Sequence, residues 1–206
     1  MATTDVDLCN RALLLLGAST ITSITGADIS SRAVVCSIIY PPLRDALLAM
    51  HPWRFATGKV QLARLSAAPV NEWKYAYQLP SDLIAGPYAV FNSDQGGAAP
   101  MTSGFEIFQD ALYTNDTLIV IDYRFRPDEN KFPPWFQWLL VLATTGAIAP
   151  SVTDIAALAV EYNQRAFGSP GENFRGGYFA IAATQNAQSN PAIKIEDSTI
   201  TDARFS

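Results

Sequence analysis

Apolar positions recur at helical spacing through the first fifty residues. Val6, Cys9, Leu13 and Leu16 fall three and four apart and share one face of a helix. Thr4 stands where an N-cap belongs. Asp5 and Asp7 follow in a first turn that favours carboxylates, and Gly17 occupies the C′ position. A Ser/Thr-rich connection over residues 18–31 reaches a second cap candidate at Asp28 or Ser30. Val34, Val35, Ile38 and Ile39 then supply the apolar stripe of the next helix. Pro41-Pro42 predicts a kink or restart there, because proline lacks an N–H and clashes with the preceding turn. A third helical piece over residues 43–50 stops at His51-Pro52, since a residue before proline is driven to extended geometry.

The period then shortens. Val60, Leu62 and Leu65 lie near a two-residue alternation, and residues 75–79 alternate up to Pro80. Residues 88–91, 105–108 and 117–125 are short β-branched or aromatic runs separated by Gly, Asn and Asp. Residues 105–113 predict a hairpin turning at Gln109-Asp110, and the Gly/Ala-rich residues 92–104 predict an exposed loop. Helical spacing returns at Pro133-Pro134, with Trp135, Trp138, Leu139 and Leu142 expected to face inward. Asp154 is expected to cap a further helix carrying Ile155, Leu158, Tyr162 and Arg165. The predicted fold is α+β: a helical bundle core with a small antiparallel β insert and an extended C-terminal arm. The segments are core helices over 1–57, the insert over 58–130, core helices over 131–168 and the arm over 169–206.

Composition narrows what such a chain can do. Of 206 residues 49% are apolar and only 16% charged, against roughly 25% charged in an average domain. Surfaces so poor in charge are cheaper to desolvate against a partner. The formal charge is −5 and no run of basic residues occurs, which disfavours a protein that grips nucleic acid through its phosphates. Cys9 and Cys36 read as buried small hydrophobes. The N-terminus lacks the basic region of a signal peptide. The apolar stretch 135–149 carries Gln137, Thr144 and Thr145 and reads as a buried helix, short of the ~20 residues a membrane span needs.

Chemistry is hard to find. The single histidine, His51, precedes proline and reads as a helix terminus rather than a catalytic base. No nucleophile elbow, phosphate loop, Cys-x-x-Cys or His-x-x-x-His pair is present. Trp53, Phe55, Trp73, Tyr75 and Tyr77 could stack on bases, but only Arg54, Lys59, Arg64 and Lys74 accompany them, widely spaced. Core packing between helices and insert is the simpler reading. No catalytic, cofactor-binding or metal-ligating residues are expected.

Four fragments stand in a fixed order: the early RALLLLG helix; Tyr40-Pro41-Pro42-Leu43-Arg44-Asp45-Ala46-Leu47-Leu48; His51-Pro52-Trp53-Arg54-Phe55-Ala56-Thr57; and YAYQLPSDL from Tyr75. This order resembles the head-to-tail adaptor family of tailed bacteriophages, also called tail tubular protein A or connector proteins. Phe132-Pro133-Pro134 before a long helix also fits that pattern. The resemblance covers residues 5–167 and is weaker in the Gly/Ala-rich loop and after Gly168. It implies a structural virion protein without turnover or cofactor, made in the host cytoplasm and placed at the head–tail junction. Its partners would be copies of itself in a twelve-subunit ring, the portal protein above and a downstream tail or nozzle protein below. DNA would pass through the lumen without specific binding, and no membrane is involved. Twelve copies at −5 would sum to about −60, a field that repels DNA from the channel wall. The alternatives are another tail-completion or tube protein, a virion-associated hydrolase and a nucleic-acid-binding module.

The segment after Gly168 carries isolated apolar residues in polar sequence. It predicts an arm that orders against a partner, with Phe174, Tyr178, Phe179, Ile193, Ile195 and Phe205 as anchors. The competing expectation is a helix over residues 178–188 folded back on its own subunit.

Overall fold

A computed structural model of the chain describes residues 3–26, 30–70, 72–173 and 175–189. The fold is α+β. Helix α1 (Asp5–Leu15) starts on a capping box in which Thr4 and Asp7 exchange side-chain and backbone bonds. Hydrogen bonding by the Thr4 backbone holds the Asp7 carboxyl below its usual range. The helix ends on Gly17 at φ 68°, with the Gly17 and Ala18 N–H groups donating back to Leu14 and Leu13.

Helix α2 (Ser31–Met50) is capped by Ser30 and passes through Pro41-Pro42 without a break. The two helical pieces expected from the sequence are therefore one. Each proline removes only its own N–H, to the carbonyls of Ser37 and Ile38. Ser37 is partly exposed and Ile38 67% exposed, so solvent can take the missing donors' place. His51 is the C-cap, in extended geometry before Pro52.

The chain then enters two small antiparallel sheets. One has the order β1 (Thr57–Gln61), β7 (Val120–Phe125), β4 (Leu83–Phe91). The other runs β2 (Ala63–Arg64), β3 (Tyr75–Gln78), β6 (Ala111–Thr114), β5 (Phe105–Phe108). Strands β5 and β6 form the expected hairpin: Phe108 pairs with Ala111 and Gln109 turns at φ 53°. Tyr77, Val90, Leu112 and Ile121 from both sheets, with Leu62 and Ile119 just outside the strands, share one apolar cluster.

Helix α3 (Pro134–Val152) begins with Pro134 at its first turn. It packs against α1, α2, α4 (Ala156–Phe167) and α5 (Gly177–Gln188). Burial on nearly every side explains its uniform apolarity and its lack of any charged residue. By length and composition α2 and α3 could each cross a membrane. The packing of α3 accounts for its composition here, as the sequence reading expected of a buried helix. The expected inward face is partly wrong: Trp138 is 42% exposed, while Phe136, Leu139 and Leu140 are buried. Asp154 is not the cap of α4, whose N-cap is Ile155 with no side-chain bond. Thr153 takes the local role, accepting from Ile155 N–H.

Between α4 and α5 the chain turns back on glycines. A Cβ on Gly168 would come within 2.8 Å of Gly176 Cα, and one on Gly177 within 2.6 Å of Gly168 N. That close approach needs glycine at both positions, where φ is positive as well.

Candidate assembly surface

Trp53 lies at the junction between the end of α2 and the start of β1. It is fully buried, and its indole N–H donates to Leu47 O at 2.7 Å. His51, Phe55, Trp135, Phe136 and Phe179 surround it with ring centroids 4.5–6.3 Å away. The expectation that Trp53 and Phe55 pack as core residues holds. Tyr77 is buried too, whereas Trp73 is only half-buried and donates to Glu106 at 3.0 Å.

A second junction is ionic. Arg44 on α2 pairs with Glu129 at 2.6 Å, and Tyr40 O–H reaches the same carboxylate oxygen at 3.4 Å. Asp45 accepts two bonds from Arg126, at 2.9 and 2.5 Å. Arg124 on β7 donates to Ala49 O at the end of α2. Burial, with Glu129 adding to it, pushes the Tyr40 hydroxyl far above its ordinary range, so it acts as a donor.

His51 sits inside the first junction, and burial followed by the positive charge of Arg124 lowers its pKa. Its neighbours are aromatic rings and an amide, not a nucleophile. Cys9 and Cys36 are free thiols buried in the core, and the neighbouring Cys36 together with burial keeps Cys9 a thiol. Among the described residues no three His, Cys, Asp or Glu gather in a way that could hold a metal ion.

The helices also expose apolar side chains. Residues 33–43 of α2 carry no charge, and along them Val34 and Ile38 stand 40% and 67% exposed, one helical turn apart. Helix α5 has no charged residue at all, and its Ile181 is 52% exposed. The stripe expected to bury α2 is thus divided. Val35 and Ile39 lean on the core beside buried Ala33, Cys36 and Tyr40, and the other pair faces out. Spacing alone could not separate the two pairs, because both obey it.

Of the six residues expected to anchor a C-terminal arm, Phe174, Ile193, Ile195 and Phe205 lie outside the described residues. Tyr178 and Phe179 lie in the first turn of α5, and there the arm expectation is corrected: this part folds back as a helix. Phe179 is 6% exposed against Trp53, and Tyr178 packs beside the same core. Asn186 was missed by the sequence reading. It is 5% exposed, and its side chain takes the Arg54 N–H and gives to Pro52 O. A lone Asn in an uncharged helix was the available signal.

No protein-family profile matches the chain, and no curated protein matches it.

Proposed function

We propose that this chain is a non-catalytic structural protein that assembles with itself into a ring: a head-to-tail adaptor, or connector, beneath the portal of a tailed bacteriophage. The ring, of twelve subunits by the resemblance, links the portal to the downstream tail protein and lets DNA pass through its lumen. The observation that carries the assembly reading is the uncharged stretch 33–43 of α2, with Val34 and Ile38 exposed along it. Interface cores are depleted in charged residues and are closed by side chains of this kind. A ring subunit needs two such flanks that meet heterologously, and uncharged α5 offers a second one. The phage placement rests on the ordered motifs from Leu13 to Leu83.

The test is the purified protein in the analytical ultracentrifuge and by negative-stain microscopy, alone and mixed with portal. Closed rings, or rings seated on portal, support the reading. A monomer at high concentration that ignores the portal overturns it.

A further inference from the structure

The contacts of Asn186 fix a protonation state elsewhere. Its carbonyl oxygen accepts from the Arg54 backbone N–H at 2.9 Å, and that group can only donate. The amide nitrogen must therefore be the atom facing Pro52 O, 3.2 Å away, which can only accept. The same nitrogen lies 3.3 Å from His51 Nε2. With the amide oriented by two unambiguous backbone groups, Nε2 is left as the acceptor. The ring is then neutral, with its proton on Nδ1.

We propose that His51 is a proton-operated latch on α5: its neutral ring holds the helix to the subunit, and its protonation releases it. A proton on Nε2 would set an N–H against the Asn186 amide N–H, turning a bond into a repulsion inside a half-buried site. Among the described residues no carboxylate acts on the ring to hold the charge. The turn supplies Pro52 and Trp53, α5 supplies Asn186 and Phe179, and α3 places Trp135 and Phe136 against Trp53. Arg124, on β7, is the charged group whose field reaches the ring, and it is a cation. A folded-state pKa held below that of the unfolded chain means that acid favours release. The stabilisation is whole above the ordinary histidine value of about 6.5 and is lost as pH falls from there towards the folded-state value. Because the chain has one histidine, an imidazole titration in this range belongs to His51. The inference stands on contacts within one subunit and does not depend on ring assembly.

Two measurements on the full chain decide it. Imidazole nitrogen and carbon shifts should show the Nδ1–H tautomer at neutral pH and a titration midpoint below about 6.5. Hydrogen exchange, corrected for intrinsic rates, should show residues 177–188 losing protection at least about tenfold between about pH 7.5 and about pH 5 while α1 and α3 keep theirs. His51→Gln, whose side-chain oxygen accepts at any pH, should abolish that difference. An Nε2–H tautomer, a midpoint at or above about 6.5, unchanged protection of α5, or a loss shared equally with α3 would each overturn the latch. Should His51→Gln fail to fold, the wild-type titration and exchange still decide.

Discussion

The chain enters its strands through an aromatic junction and leaves them through an ionic one. On the way in, Trp53 and Phe55 stack among Trp135, Phe136 and Phe179 just before β1. On the way out, Arg124 and Arg126 of the β7 end, then Glu129, reach back to Ala49, Asp45 and Arg44 of α2. The aromatic one gathers the turn before β1 with α3 and α5, the ionic one ties α2 to β7 and the chain after it, and they respond to different insults. A dry aromatic cluster is sensitive to lost volume, because its neighbours relax only partly into a cavity. An ion-pair cluster is sensitive to lost partners, because a half-buried charge left alone keeps its desolvation cost.

The largest effect is expected from Trp53→Ala, which empties the centre of the aromatic junction and strips Leu47 O of its donor. The cost should be about 3–5 kcal/mol, with helices and strands melting together. Urea unfolding followed by circular dichroism measures it, and a loss under about 1 kcal/mol would place Trp53 outside the core's energetics. Glu129→Ala comes next. It leaves Arg44 with Asp45 alone and Tyr40 without its acceptor. With Arg44 and Glu129 side chains 15% and 18% exposed, the cost should be about 2 kcal/mol, below that of a fully buried pair. Exchange in β7 should rise first. Equal loosening everywhere would mean that the two junctions are one cooperative unit.

Arg126→Ala should matter least of the charged changes. Its side chain is 47% exposed, so despite two bonds to Asp45 the loss should stay within about 1 kcal/mol and shrink in salt. Thermal melts at two ionic strengths check both parts.

The aromatic junction was more legible in sequence than the ionic one. A tryptophan beside proline at a change of period, with phenylalanine two residues on, marks a buried corner by residue type alone. Arg44, Asp45, Arg126 and Glu129 look like ordinary surface charges, and only the path of β7 brings residues more than eighty positions apart together. The hairpin at Gln109-Asp110 was legible because its alternation and its turn are both local. Continuity through Pro41-Pro42 was not, since it depends on which side of α2 faces water. Packing also decided the fate of Phe179: residues that look like a polar arm become a helix once Trp53 and His51 offer a surface for one aromatic ring.

Ile38→Asp should change stability least of all and assembly most. Ile38 is 67% exposed on a helix already capped at Ser30, so no core contact of consequence is lost. The melting free energy of the monomer should stay within about 0.5 kcal/mol of wild type. In the middle of an interface, however, a carboxylate must shed its water with no cation provided for it, because residues 33–43 of α2 carry none. Association through this face should then weaken by at least about a hundredfold, a difference of about 2.7 kcal/mol. Sedimentation at matched concentrations, beside a thermal melt of the same sample, measures both quantities. Normal assembly by the variant would remove α2 from the interface. A markedly lower melting temperature would show instead that Ile38 supports its own subunit. A monomer of unchanged stability that no longer assembles would separate this face from both junctions, whose contacts lie within the subunit.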